Sequence, residues 1–201
     1  MTSLRHNSVD HETAQAPSAA DLALDAARES ILAVGWSRTT LTEVARRAGV
    51  SRMTIYRNWP DMGALLADLM TREWAGLMRV PPRAGTTLDQ LVAGVVDTVR
   101  AIRANPLFAR IIELDPERLL PYLLERPGRS QALVLTVVAD QVRAGQAAGE
   151  IRAGDPHLLA RSIVLACHGF ALSAATMTRP GVSVALLDEQ LRALVEGYLR
   201  P

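Results

Sequence analysis

Four residues punctuate the stretch from Thr40 to Pro60 so closely that it can hold only two short helices and one tight turn. Thr40 and Ser51 carry hydroxyls suited to an N-cap, where a side-chain oxygen accepts a free first-turn N–H. Gly49 tolerates the positive φ that ends a helix sharply, and Pro60 forbids simple continuation past Asn58. The spacing predicts one helix over Leu41 to Ala48, with Glu43 forming a capping box on Thr40, and a second over Arg52 to Asn58. Helices this short, joined this tightly, cross steeply. The crossing needs a small residue, Ala45, and an apolar anchor, Ile55, backed by Val44 and Val50. Such a pattern predicts a helix-turn-helix, whose second helix is free to enter a DNA major groove.

Charge supports this locally rather than globally. The chain is close to neutral at +1, and all 22 of its basic residues are arginine. Between Trp36 and Trp59, however, Arg38, Arg46, Arg47, Arg52 and Arg57 stand against the single acid Glu43, a patch of about +4. A solvated helix face can carry the same charge, so the patch counts only jointly with the spacing.

The remaining sequence predicts an all-α chain. Ala, Leu and Val dominate its apolar half, and no run alternates with the period of a strand. Helix 1 is expected from Asp21 to Val34, on the stripe Leu24, Ala27, Ile31 and Val34. Gly35 is expected to act as its left-handed stop, with Trp36 folding back on Ile31 or Leu32 as in a Schellman cap. Asp61 caps a long fourth helix from Met62 to about Arg79, and Pro81 to Gly85 breaks it. Further helices are expected at Thr87–Ala104, Pro106–Leu114, Pro116–Leu124, Ser130–Ala148, Pro156–Met177 and Val182–Leu199. Residues 1 to 20 read as a disordered tail with solvated histidines, His6 and His11. No apolar run approaches the ~20 residues of a membrane span, and a lone Cys167 fits a reducing cytoplasm.

The stretch Thr39 to Ser51, followed by Ile55-Tyr56-Arg57-Asn58-Trp59-Pro60, resembles the tetracycline-repressor (TetR) family of bacterial regulators. The resemblance covers roughly residues 21 to 70 and implies a three-helix DNA-binding head, residues 21–66. Helix 4 would join it to a helical ligand-binding and dimerisation domain, residues 67–201, giving about nine to ten helices in all. It implies a homodimer on a palindromic double-stranded operator, and a small, apolar or amphipathic effector that releases it. Met62-Gly63 depart from the Lys-Glu that often follows the turn, so a phosphate contact is expected instead from the amides that open helix 4. Arg57-Asn58 also depart, standing where an aromatic followed by His or Tyr is common.

Carried over by position, Arg52, Met53, Thr54, Arg57 and Asn58 face bases, where Arg suits guanine and Asn suits adenine. Tyr56, Thr40 and Arg38 face phosphates, which set register rather than sequence. Met70, Trp74, Met78, Phe108, Ile112, Tyr122 and His168 are candidates to line an effector cavity, because Met and aromatics suit adaptable apolar pockets. Each of these is equally compatible with plain core packing. Ala160, Ala166, Gly169, Ser173 and Ala174, with Leu133, Val134, Val137 and Val138, are expected to form a four-helix dimer seam.

Two other readings stand beside this one. An architectural DNA-binding dimer would bind with steep salt dependence and little sequence preference. An enzyme with an accessory helix-turn-helix finds no metal-spaced Cys/His cluster, Gly-rich phosphate loop or nucleophile–base pair here. No catalytic residue, metal or cofactor is expected.

Overall fold

The chain opens its first helix with a reciprocal cap. Ser18 Oγ accepts the Asp21 amide at 3.1 Å while the Asp21 carboxylate accepts the Ser18 amide at 3.1 Å. This Ser-x-x-Asp box starts α1 (Ala19–Val34) two residues earlier than its apolar stripe suggests. The computed structural model describes residues 16–77, 84–124 and 128–201, and among them the regular elements are helical apart from a single bridge between Arg179 and Val182. The expectations for residues 1–15, including His6 and His11, for Met78 and for Pro81 to Arg83 concern residues outside that description.

The order continues with α2 (Leu41–Ala48), α3 (Arg52–Asn58), α4 (Met62–Leu77), α5 (Thr87–Ala104) and α6 (Pro106–Leu114). A 3-10 turn (Pro116–Arg118) and α7 (Leu120–Leu124) replace the single short helix expected over 116–124. Then come α8 (Arg129–Ala147), α9 (Pro156–Ser173) with a 3-10 extension (Ala174–Met177), and α10 (Val184–Leu199). Side-chain caps from Thr86, Asn105, Asp155 and Ser183 set the starts of α5, α6, α9 and α10.

Two apolar cores result. The first joins Ala23, Leu24, Ala27 and Ile31 of α1 to Val44, Ala45, Ile55 and Leu65. Leu107 and Ile111 of α6, both at most 1% exposed, complete it from far along the chain. The second is built by Leu91, Val95 and Val99 of α5 against Val142, Ile163, Leu191 and Leu199. Asp188 ties α10 to α5 by accepting from Arg100 and Arg103, and Arg103 also donates to the Phe170 carbonyl. Burial pushes the Asp188 carboxyl up, but the two guanidinium groups outweigh it and hold it below its ordinary value.

The joint between the cores corrects one expectation. Gly35 has φ 86° and ψ 165°, an extended conformation with positive φ rather than a left-handed stop, and its amide makes an ordinary bond to Ile31. The reason is long-range. Asp115, at the end of α6, accepts the Trp36 amide at 2.8 Å and the Ser37 amide at 3.1 Å. A Cβ on Gly35 would lie 2.9 Å from Leu114 Cδ1 and 3.2 Å from Asp115 Oδ2, so only glycine fits there. The Schellman pairing is found instead at Gly49, where the Val50 amide reaches Ala45 and the Gly49 amide reaches Arg46.

The fold divides the expected dimer seam: Leu133, Val137, Gly169 and Ser173 are exposed, and the others are wholly or partly buried. Ala160, Ala174 and Val138 are buried within the chain, and the half-buried Val134 lines a cavity. Outward apolar residues also include Leu158 and Leu165 on α9 and Leu186 and Leu194 on α10. The segment Pro156–Met177 is, by length and a hydropathy of 1.6, apolar enough to cross a bilayer, which corrects the expectation that none is. Its inner face packs on α5, α8 and α10.

Asp115→Asn keeps the shape but turns one of two acceptor oxygens into a donor facing an amide. Urea unfolding at pH 7 is expected to show a loss of about 1–3 kcal/mol. Burial raises the Asp115 carboxyl, yet hydrogen bonds from Ser37 and Trp36, with Arg118 nearby, bring it below 3.8 when folded. Its stabilisation is therefore complete above about pH 4 and is lost as pH falls through the lower folded value, closing the gap to the variant.

Candidate nucleic-acid interface and ligand cavity

The exposed face of α3 is set by what its other face must bury. Ile55 is fully buried, and Met53 and Arg57 lie opposite it on the helix, with Met53 78% exposed. Arg52, Tyr56 and Asn58 flank them, all exposed. Thr54 is only half-exposed, and its hydroxyl lies 2.8 Å from that of the capping Ser51. The expected base-facing residues are thus on one short helix, but Thr54 is partly engaged in building it.

The flanking residues are also engaged. Thr40 Oγ1 caps α2 by accepting the Glu43 amide at 3.3 Å. The expected reciprocal half of that box is missing, because the Glu43 carboxylate takes Arg46 and Arg47 at 2.7 and 2.9 Å. Hydrogen bonds from these two arginines hold the Glu43 carboxyl down at about 2. Two of the five arginines are thereby committed to one carboxylate. Arg38 Nε donates to the Val34 carbonyl at 2.7 Å, at the carboxyl end of α1, where a cation is favoured. Arg52 and Arg57 are left as the outward cations of α3 itself. At the start of α4, Asp61 Oδ1 accepts the Ala64 amide at 2.8 Å. One of the amides that open α4 is thereby taken by a carboxylate of the chain itself.

Trp59, at the end of α3, is 3% exposed, and its indole N–H donates to Asp68 Oδ2 on α4 at 2.8 Å. The other oxygen of Asp68 takes Arg129, at the start of α8, at 2.9 Å. Glu73 makes a second tie, accepting Arg28 of α1 at 3.1 Å and Asn105 at 2.7 Å. Sequence reasoning missed these links, since nothing local marks partners such as Trp59 and Asp68, 9 residues apart, or Arg28 and Glu73, 45 apart.

Behind α4 lies a cavity of about 310 Å³, walled by α4, α5, α6, α8 and α9. That volume falls at the lower end of the ~300–1,000 Å³ typical of small-molecule sites. Met70, Trp74, Phe108 and His168 line it as expected, and Trp74 meets Phe108 edge-on at 5.7 Å. Ile112 does not: it is exposed, and its neighbour Ile111 takes the wall. The side chain of Tyr122 lies outside the description. Most of the wall is aliphatic, including Leu91, Val95, Val99 and Val134. His168 Nε2 stands 3.2 Å from the Gln131 amide nitrogen, and Gln131 Oε1 accepts the Gly128 amide at 2.7 Å. Burial lowers the His168 pKa, favouring the uncharged ring. Burial likewise pushes the adjoining Cys167 thiol up to about 12, which leaves it unreactive at neutral pH.

Residues 23–69 match the family model described as bacterial regulatory proteins, tetR family. An uncharacterized HTH-type transcriptional regulator of Mycobacterium tuberculosis is 34% identical over 176 residues, covering 88% of this chain and 92% of that relative. Among solved structures, the transcriptional repressor QsdR of R. erythropolis, from the TetR family, superposes with a TM-score of 0.65 at 18% identity, over 91% of this chain and 96% of its own. The SmeT–triclosan complex superposes with a TM-score of 0.60 at 20% identity, over 92% of this chain and 93% of its own. Likeness at these identities concerns the fold.

Trp59→Phe keeps a six-membered aromatic ring at this buried position and loses the donor to Asp68 together with the five-membered ring that carries it. Urea denaturation is expected to report a loss of about 1–2 kcal/mol. An unchanged midpoint would mean the indole bond adds nothing to the packing of the ring.

Proposed function

The chain belongs to the tetR family of bacterial regulatory proteins, as a helix-turn-helix DNA-binding transcriptional regulator and not an enzyme, and from that premise we propose that it is a homodimeric repressor. In this reading residues 21–66 form the DNA-reading head and residues 67–201 bind the effector and the second copy. A small apolar or amphipathic molecule entering the cavity releases the dimer from a palindromic operator. One observation carries this reading. Ile111 belongs to the core of the head and also lines the cavity, so a molecule that displaces α6 also disturbs the helix-turn-helix. The triclosan complex formed by the structural neighbour SmeT supports a hydrophobic effector of modest size.

Arg52, Met53, Arg57 and Asn58, with the remaining capacity of Thr54, read base edges, and Arg38, Thr40 and Tyr56 hold phosphates. Two heads about 34–36 Å apart then meet successive major grooves of the operator. The second copy covers the outward apolar residues of α9 and α10, among them Leu165 at 72% exposure and Leu194 at 58%. Gly169 and Gly197 on the same helices would meet nothing within 4 Å of an added Cβ, leaving room for a partner helix to approach closely. On this reading Pro156–Met177 is a core and dimer helix rather than a membrane span, and the protein works in the cytoplasm beside its DNA.

Footprinting of DNA around the protein's own gene is the direct test: a discrete, two-fold symmetric protected site is expected, cleared by the effector. Uniform, salt-sensitive protection would favour the architectural reading instead. Arg57→Ala is expected to cost ~1–3 kcal/mol and to relax choice at one base position per half-site. An equal loss on every sequence would make Arg57 a phosphate contact. Leu165→Arg is expected to give monomers by analytical ultracentrifugation and to weaken operator binding by about 100-fold, the order of gain that two linked heads provide.

A further inference from the structure

Resting on the effector reading of the cavity, we propose that its ligand is an uncharged amphiphile, a hydrocarbon body carrying one neutral oxygen-bearing head that His168 receives. The polarity of the walls makes the case. Among the described residues no acidic side chain lines the cavity, and apart from His168 its only basic side chain is Arg129. Arg129 is already paired with Asp68 at 2.9 Å, and its side chain is 68% exposed, which places it at the watery mouth. A carboxylate deeper inside would meet mostly aliphatic walls, with no cation among the described residues there to compensate its lost hydration. Among the described residues a cationic head would find no acid on the wall, and their one aromatic pair, Trp74 with Phe108, is set edge-to-face rather than as a cage.

A neutral oxygen does find a partner. The Gly128 amide occupies Gln131 Oε1, which turns the Gln131 amide nitrogen toward His168 Nε2. Nε2 is then the acceptor, and the hydrogen-bond pattern assigns the ring proton to Nδ1. No protein acceptor meets Nδ1 among the described residues, while the ring lines the cavity. Nδ1–H is thus a donor on a wall whose other polar side chains, Arg129 apart, are uncharged (Gln90, Thr98, Ser130, Gln131 and Gln141), suited to an alcohol, ester or ketone oxygen. Leaving it unmet by a purely hydrocarbon guest would forfeit a hydrogen bond, so the head group is selected as well as tolerated.

Three probes of equal chain length test this: 1-decanol, decanoate and decyltrimethylammonium, below micellar concentrations, at pH 7.5. Thermal shift and release of operator DNA are read on the full chain, on His168→Phe and on His168→Gln. Decanol is expected to stabilise the protein and release DNA, with both charged probes at least about tenfold weaker. His168→Phe is expected to weaken decanol about five- to tenfold, and His168→Gln, which retains a donor, to recover most of that. Should His168→Phe not fold, the wild-type ranking and His168→Gln still decide. Decanoate or the ammonium binding as tightly as decanol overturns the polarity rule and leaves the effector reading standing. Equal decanol binding by wild type and His168→Phe overturns the role of His168. If none of the three shifts melting or releases DNA, the polarity rule and the effector reading fall together.

Discussion

The carboxylate of Asp115 holds two amides at the corner between α1 and α2, and through that corner the two halves of the molecule are registered. Buried anions are costly unless their hydrogen bonds are satisfied. Here the satisfaction comes from Trp36 and Ser37, whose amides are exposed to a partner only because Gly35 bends the chain out of α1. With the corner held, Leu107 and Ile111 enter the first core and Phe108 turns toward the cavity. One nine-residue helix, α6, therefore belongs to two structures at once, floor of the head and wall of the chamber. Displacing it cannot leave either unchanged, because packed interiors do not deform continuously.

Most of the helices were legible because their ends are locally encoded. Thr86 and Asn105 cap α5 and α6, and the expected bounds of both helices coincide with the observed ones. Gly49 likewise announces its turn. The misreadings share one cause, a competing partner, near or distant, that overrides the expected one. Gly35 ends α1 as its position suggests, but in an extended rather than a left-handed conformation, because the next residue, Trp36, is held by Asp115 79 residues further on. Glu43 looks like half of a capping box and is drawn off by Arg46 and Arg47. Ile111 and Ile112 are indistinguishable by type, and only the packing of α6 decides which faces inward. Cavity residues with a distinctive chemistry, Met70, Trp74, Phe108 and His168, could be picked out. The aliphatic majority could not, since Val95 or Val134 in a cavity wall reads the same as Val92 in a core.

Charge is distributed by the same economy. Near-neutrality overall leaves the cations of α3 as a local feature, and two of the nearby arginines are spent on shaping α2 rather than on facing outward. Inside, the titratable groups that remain are neutralised by different means. Asp188 is paired with two arginines, whereas His168 is simply dehydrated and kept uncharged. A chamber of that kind discriminates by the absence of partners for charge as much as by the shape of its walls.

The placement of Leu107 and Ile111 also bears on how the protein is made. A ribosome delivers α1, α2 and α3 first, yet the head has no complete floor until residue 111 has emerged, some eighty residues behind Ile31. At about 5–20 residues per second, that is a delay of several seconds during which Val44, Ile55 and Ile31 lack their final neighbours. The DNA-reading end, although first in the sequence, is thus not solid until more than half of the chain has been made. A nascent chain stalled within α5 would expose the head's apolar face to chaperones and proteases rather than present a finished reader to DNA.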